Sequence, residues 1–544
     1  MPEYLAPGVF IEEVPSGPVP IQGVSTSTAG FVGAAERGPE HPVLVTSWLD
    51  YQRWYGGLPT REKIQNYGYM SHAVNGFFAN GGQRAYIARV TKSGTATAAL
   101  VIAGQSNSKL TVSAIGPGAE GSGIFVKVRG ASQGGSLFAL SVLYFRGGYP
   151  KASLAAGAIP ANLDPDIASN TVNAGFVAPT ASEVFDNLSL DPNDPNYYET
   201  IIDSSSQLIE VSEGYTPKAE DLKSASQTKY KRVLTGNAEP AADALPALGD
   251  FQGTGGGAPL PVDKLKGLAA LGSVRDVNIL CVPDEAGGVV GLTLEVVQHC
   301  ELHKNRFAIL QSQINDKDTA KLQPPADTSY SAFYYPWINT RHPETGNIIQ
   351  LPVTGHMAGV YARTDIERGV HKAPANEMLF GPIGQNVGKK GPLNPNVTQG
   401  DQEVLNPRGI NCIRDFRSEG RGVLVWGART MSQNGQWRYI NVRRLFIYAE
   451  QSIEVGTQWV VFEPNDPTTW QRVVNSVKGF LNTLWHNGAL MGDTPEQAFF
   501  VRCDRTTMTQ DDIDNGRLVC LVGIAPVKPA EFVIFRFSQK TADV

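Results

Sequence analysis

Val277-Asn278-Ile279-Leu280-Cys281-Val282, a helical stretch from about Val289 to His303, and Phe307-Ala308-Ile309-Leu310 together set the fold class. Both short runs carry apolar residues on both faces, which suits strands of a sheet covered by helices on each side. Strand, helix, strand in that order is βαβ texture. Ala332 to Trp337 adds another strand, and Asn339 to Ile349 reads as a hairpin-like connection around Glu344-Thr345-Gly346-Asn347. Gln350-Leu351-Pro352-Val353 then leads into a helix from about Gly355 to Glu367.

Upstream, residues 24 to 92 read as strand, strand, helix, helix, strand. Val24 to Val32 and Val43 to Thr46 are the first strands, and Ser47 caps a helix through Trp48, Tyr51, Trp54 and Tyr55 that Gly56-Gly57 ends. A second helix carries Met70, Val74, Phe77 and Phe78, stops at Asn80-Gly81-Gly82, and is followed by strand Ala85 to Val90. From 93 to 260 the texture turns to Ala, Gly, Ser, Thr and Asn with short strands at Leu110 to Ala114, Ile124 to Val128 and Phe138 to Tyr144, which predicts an inserted, β-rich, surface-facing domain.

Downstream, the Gly/Pro/Asn-rich stretch 381 to 409 reads as an exposed connection. Val423 to Trp426 is a strand, and a helix follows through Val442, Leu445, Phe446, Ala449 and Ile453. Asp466 caps a helix with Pro467 at its first position, and Trp470, Val473, Val474, Val477, Phe480, Leu481, Leu484 and Trp485 recur at i, i+3, i+4, i+7 until Asn487-Gly488. Phe499 to Cys503 and Leu518 to Ile524 are strands, so a second α/β core is expected here.

The chain has 544 residues, too many for one hydrophobic core, and a formal net charge of -6, which disfavours a duplex-binding face and any direct nucleic-acid partner. Five cysteines without a CxxC pair argue against a disulfide framework or a zinc ribbon and read as reduced and mostly buried. No apolar run reaches the roughly 18 residues of a membrane span, and the start lacks a signal-peptide pattern, so a cytoplasmic site of assembly and no membrane insertion are expected.

Candidate chemistry is sparse. His299 and His303 stand at i, i+4 on a helix, but Cys300-Glu301-Leu302 between them does not make the HExxH pattern, and a solvent-facing helix edge is the expectation. Thr354-Gly355-His356-Met357-Ala358 is similar to the turn that carries the nucleophile of subtilisin-like proteases, with histidine where the serine would stand and so no attacking atom. Gly253 to Gly257 lacks the following Gly-Lys-Ser/Thr of a phosphate loop. Glu12-Glu13 and Asp511-Asp512 fall at loops or helix starts, where carboxylates favourably face a helix N-terminus. No catalytic, cofactor or metal residue is expected; a hydrolase working through the subtilisin-like turn and a carbohydrate-binding surface protein are the alternatives.

Both ends of the chain are apolar strand candidates set off by proline and glycine. Val9-Phe10-Ile11 lies between Pro7-Gly8 and the hinge region Pro15 to Pro18, and Phe532-Val533-Ile534-Phe535-Arg536-Phe537 follows the hinges Pro526 and Pro529. Alternation points Phe532, Ile534 and Arg536 one way and Val533, Phe535 and Phe537 the other, so an outer position leaves one apolar face in water. Strand addition to another copy supplies cover and main-chain hydrogen bonds together.

Pro7-Gly8-Val9-Phe10-Ile11-Glu12-Glu13-Val14, Gly23 to Gly33, Gly81-Gly82-Gln83-Arg84-Ala85-Tyr86-Ile87, Asn406-Pro407-Arg408-Gly409-Ile410-Asn411, Trp437 to Arg444, Ile453 to Trp459, Phe462-Glu463-Pro464-Asn465 and Arg502-Cys503-Asp504 occur here in an order that resembles the contractile phage tail sheath family. The resemblance covers both ends and the 274 to 372 block, and leaves out 93 to 260. It implies an N-terminal arm (1-22), an N-terminal α/β part of the core (23-92), the insertion (93-260), a subtilisin-like, non-catalytic sheath module (261-409), a C-terminal core (410-528) and a C-terminal strand arm (529-544). It further implies a subunit stacked as hexameric rings around an inner tube protein, contacting baseplate and terminator or cap proteins in a phage tail or tail-like particle. The C-terminal core is then expected near the tube and the insertion outward, with contraction driving the tube through an envelope.

Overall fold

The computed structural model describes residues 20–103, 109–149, 158–212, 230–233, 244–253, 261, 264–382 and 393–536. Two compact units emerge: Thr26–Arg443, and a second that joins residues 20–25 to residues 444–536.

The first unit is built on one sheet of eight strands: β1 (Ala29–Gly33), β2 (Val43–Val45), β3 (Ala85–Arg89), β4 (Ile279–Cys281), β5 (Phe307–Gln311), β6 (Ser331–Tyr335), β7 (Ile410–Asp415) and β8 (Val423–Trp426). Their order is β8-β7-β6-β5-β4-β1-β3-β2, with β3, β1, β4, β5, β6 and β7 mutually parallel and β2 and β8 antiparallel at the two edges. Among its helices are α1 (Trp48–Tyr55), α2 (Met70–Ala79), α3 (Leu292–His303) and α4 (Thr354–Arg368). Ser47 Oγ accepts the Asp50 N–H at 3.1 Å, the cap expected for α1.

Alternation distributes the strand residues between two covers. On one face Leu280, Val282, Ala308, Leu310 and Phe333 are buried together with Val296, Val297 and Cys300 of α3. On the other, the Phe31 ring meets Phe77 of α2 edge-on at 5.5 Å, and the Tyr334 hydroxyl bonds that of Tyr361 on α4 at 2.8 Å. A Cβ on Gly355 would lie 2.3 Å from Ala73 Cα, so α4 and α2 approach more closely than any side chain permits at that point. Each fully buried Leu, Ile or Phe contributes about 1.5–3 kcal/mol, which makes this doubly covered sheet the main store of stability in the unit.

Two expectations about organisation change. Strands on either side of the expected 409/410 boundary share one sheet, as do the strands of 23–92: Phe333 pairs with Ile410 and Ala29 with Ile279. Nor is 381 to 409 simply an exposed connection. Leu393–Asn394 pairs with Trp337–Ile338, and a helix at Gln399–Leu405, capped by Thr398, buries Leu405.

The insertion forms two antiparallel sheets. One carries Ile124–Gly130, Phe138–Tyr144, Ala181–Leu188 and Lys231–Arg232, the other Ala99–Ala103, Lys109–Ala114 and Ile209–Ser212. Val112, Val126, Leu140, Val142 and Ile209 are among the residues of a core common to both. Residues 244–253, expected within the insertion, return to the parallel sheet, where Phe251 is buried with Leu268 and Leu271. Arginines fasten the insertion to the sheet. Arg89 Nη1 donates to the carbonyls of Gly38 and Pro117, both at 2.8 Å, and Arg146 grips the buried Glu36 through Nη2 at 2.7 Å and Nε at 2.9 Å.

The second unit contains α5 (Ile440–Gly456), whose first turn belongs to the first unit, together with α6 (Pro467–His486) and a ladder of β9 (Phe499–Arg502) with β10 (Leu521–Ile524). Asp466 accepts the Thr469 N–H at 2.8 Å, and Trp470, Val473, Val474, Val477, Phe480, Leu481 and Leu484 are the buried stripe of α6.

Candidate functional site

In an open α/β sheet, ligand sites form beyond the carboxyl ends of parallel strands, so the turn after β4 is the first place to look for chemistry. It holds two adjacent acids, both buried. Asp284 accepts the Tyr69 N–H at 2.7 Å, and burial raises its carboxyl from 3.8 to about 6. Glu285 accepts the Gln311 N–H and the Thr293 hydroxyl, each at 2.7 Å, and burial raises it from 4.5 to about 7. His72 bonds the Pro59 carbonyl at 2.9 Å, and its ring meets that of His342 edge-on at 5.8 Å. Burial lowers His72 to about 4, with the neighbouring His342 adding to the shift.

His356 sits in the first turn of α4, 4% exposed, with its ring where a Cβ on Gly76 or Gly381 would have to go. Its Nδ1 makes no hydrogen bond, and burial holds the ring near a pKa of 4. Asp284, Glu285, His72 and His356 are thus each shifted toward the neutral form and closed in by protein. That arrangement stabilises a neutral, dry interior and gives His356 glycine backbone for neighbours in place of a nucleophile. A cavity lined by Arg37, Ala114, Pro117 and Leu208 has a volume of about 10 Å³, room for a single water.

His299 and His303 on α3 have ring centroids 4.4 Å apart, but the Arg306 guanidinium lies 3.2 Å from His299 Nε2. Burial, with Arg306 adding to it, lowers His299 to about 3, so a cation already occupies the side from which a metal would be held. The pair was expected on a solvent-facing edge; both side chains are partly buried there, between the exposed Gln298, Glu301 and Leu302 and the core. Among the described residues no three His, Cys, Asp or Glu side chains converge as metal ligands. Asp512, one of the paired acids, completes a capping box with Thr509 at the start of a short helix, Gln510–Asp514.

The remaining candidates are the chain ends. Val9, Phe10, Ile11, Pro15, Pro18 and Phe537 lie outside the described residues. Residues 20–25 lie on α5: the Val24 N–H donates to Ser452 Oγ at 3.1 Å, and Ile21 is buried. A Cβ on Gly23 would lie 1.8 Å from the Tyr448 hydroxyl, and one on Gly456 would lie 2.7 Å from Ile21. Tyr448, Ser452 and Gly456 recur every four residues and so form one stripe of α5. That stripe, one large residue and two small ones, carries no sequence signal that marks it as a cradle for residues 20–25.

At the other end, the ladder of β9 and β10 runs on into an anchored stretch. The Met491 N–H donates to the Ala525 carbonyl at 2.8 Å, Pro526 bridges to Leu490, and the Val527 N–H donates to the Ala489 carbonyl at 3.2 Å. Pro526 therefore sits within the anchored part, and Pro529 beyond it. Residues 528–536 form neither helix nor strand, and Phe532, Val533, Ile534 and Phe535 are 72%, 69%, 76% and 78% exposed. Four consecutive large apolar side chains in water are a surface lacking its cover.

Two adjoining family models match the chain: the phage tail sheath protein central domain over residues 261–431 and the phage tail sheath C-terminal domain over residues 432–540. Among curated proteins, the tail sheath protein of Salmonella phage ViI is 27% identical over 222 residues, 40% of this chain and 33% of that one. The tail sheath protein of Burkholderia phage BcepMu is 30% identical over 163 residues, 29% of this chain and 33% of the relative. In these alignments the chain spans about a third of the length of the curated relatives it matches.

Solved structures align over nearly the whole chain. The sheath complex of the extracellular contractile injection system PVC, in the contracted state, has a TM-score of 0.54 at 22% identity and covers 99% of both chains, a likeness of fold. The six-fold symmetrised baseplate of the anti-feeding prophage has a TM-score of 0.53 at 25% identity, covering 99% of this chain and 100% of that one.

Proposed function

The chain belongs to the contractile tail sheath family, and from that premise we propose that it is the repeating structural subunit of a contractile sheath, stacked in hexameric rings around an inner tube. The observation that carries this reading is the run Phe532–Phe535, exposed on both sides and launched from an anchored ladder. In the assembly this segment and the Val9–Ile11 segment of neighbouring copies complete small sheets, each gaining main-chain hydrogen bonds and apolar cover. Head-to-tail contacts of this kind do not close on themselves, so one subunit type builds a cylinder of any length.

Pro15, Pro18 and Pro529 mark where the arms bend relative to the rigid units, so subunits slide and rotate while strand pairing persists. Pro526 is a root of the arm in this scheme. The extended cylinder is a kinetic trap, released when a baseplate starts a travelling rearrangement that drives the tube forward. A terminator or cap protein closes the far end. The subtilisin-like module serves as scaffold, in keeping with a closed polar cluster at its strand ends. Negative-stain microscopy of the purified full-length chain tests the proposal: striated cylinders are expected, and monodisperse particles at every ionic strength and concentration tried would overturn it.

A further inference from the structure

Three of the five cysteines, Cys281, Cys300 and Cys412, are fully buried in the first unit, isolated from water by the packed sheet and helices. The other two are neighbours in the second unit. In the ladder of β9 and β10, Phe499 faces Ile524 and Arg502 faces Leu521. One more rung of the same register sets Cys503 opposite Cys520. Opposed residues of an antiparallel pair have Cα atoms about 4.5–5.5 Å apart, inside the span of roughly 4.4–6.8 Å that a disulfide bridges. Each thiol lies near enough to the other to shift its ionisation.

The loop between them is braced so that they stay opposed. Thr507 Oγ1 donates to the Val519 carbonyl at 2.9 Å, and the Arg517 N–H to the Asp512 carbonyl at 2.7 Å. Cys503 is buried, while Cys520 is half-buried and open to a small reagent. Two opposed thiols, one reachable and one behind it, are the arrangement of an attacking and a resolving cysteine.

We propose that Cys503 and Cys520 form a redox-responsive dithiol that a low-molecular-weight disulfide, of the class of oxidised glutathione, converts into an intramolecular disulfide at the root of the C-terminal segment. Cys520, as thiolate, attacks one sulfur of the reagent; its S–S bond breaks, the first small thiolate leaves and takes up a proton, and Cys520 carries the mixed disulfide. Cys503, deprotonated in turn, attacks the Cys520 sulfur and expels the second small thiolate. The protein loses two protons and two electrons, and the reagent becomes two thiols.

Burial raises both thiols above their ordinary range, Cys503 to about 12, so the thiolate population is small and the exchange slow. The reduced pair therefore persists wherever small thiols predominate and closes on sustained exposure to an oxidising medium. Because the chain runs from β10 straight into the anchored stretch Ala525–Val527, the bridge fixes the strand that precedes the exposed apolar run.

The test is to incubate the native full-length protein with oxidised glutathione, quench with acid, and measure intact mass and a non-reducing peptide map. The expected wild-type product has lost two hydrogens, retains no glutathionyl group, and yields one linked peptide pair joining Cys503 to Cys520. Cys503→Ser and Cys503→Ala should each retain a single glutathionyl on Cys520, and Cys520→Ser none. Wild-type protein of unchanged mass, one that accumulates a glutathionyl on Cys520, or one with a bridge to any other cysteine would overturn the proposal. The readout does not depend on whether the chain polymerises.

Discussion

β5, Phe307-Ala308-Ile309-Leu310-Gln311, and the C-terminal run Phe532-Val533-Ile534-Phe535 have closely similar apolar composition and opposite fates. Every residue of β5 is buried, between β4 and β6 in the ladder and between helices on its faces. The four residues of the C-terminal run are each more than two-thirds exposed. Apolar character sets how much a segment gains from cover, and the neighbours decide whether the chain supplies it. β5 finds all of its cover within one polypeptide, whereas the four described apolar residues of the C-terminal run find little of theirs there.

The largest expected effect breaks the comparison at its second term. Removal of residues 531–544 should abolish cylinder formation in sedimentation and microscopy while urea unfolding of the dispersed protein moves by less than about 0.5 kcal/mol. Cylinders from the truncated chain would refute the role given to this segment. At the buried term, Phe31→Ala, beside Phe77, should cost about 3–5 kcal/mol in urea unfolding. Phe535→Ala should be near neutral in the same assay, and equal costs would erase the distinction.

Arg146→Gln sharpens the contrast between buried and exposed charge. It leaves Glu36, whose side chain is 0% exposed, without its paired donors, and should cost ~3 kcal/mol. Arg472→Ala, which removes an exposed ion pair with Glu463 at 3.4 Å, should cost well under about 1 kcal/mol.

A further contrast lies in pH. Glu285 is raised in the folded protein from 4.5 to about 7, so its contribution is fully present below about 4.5 and is lost as pH rises through 7. Glu285→Gln should remove roughly 2–3 kcal/mol of stability loss between pH 5 and 8. Asp284, raised to about 6, keeps a smaller slope of the same sign in the variant. His72 and His356, lowered from 6.5 to about 4, act oppositely: their contribution is present above 6.5 and lost as pH falls toward 4. A variant whose unfolding midpoint follows the wild-type pH profile would show that Glu285 is ionised in the fold.

Segments governed by local rules were legible in the sequence. The α6 helix follows from its stripe and its Asp466-Pro467 start, and α1 from Ser47 and Gly56, because a cap and a 3.6-residue period are written within a few residues. Sheet order was not. Pairing of Ala29 with Ile279, or of Phe333 with Ile410, joins segments whose neighbouring residues say nothing of each other. The helix at Gln399–Leu405 lay hidden in a stretch dominated by Gly, Pro and Asn, although Thr398 and Asp401 spell its capping box.

Of the candidate site, the apolar runs at the two ends stood out because proline and glycine isolate them. The lie of residues 20–25 against Tyr448, Ser452 and Gly456 did not, since a cradle for backbone is made of what side chains leave empty. The opposition of Cys503 and Cys520 needed a register that only the ladder of β9 and β10 provides.

The seating of Gly23 and Val24 on α5 has a mechanical consequence. The segment at residues 20–25 and the segment that leaves toward residue 536 both belong to the same small body. In the lattice proposed above, knitted through its ends, tension arriving along one tether would pass to the other through that body.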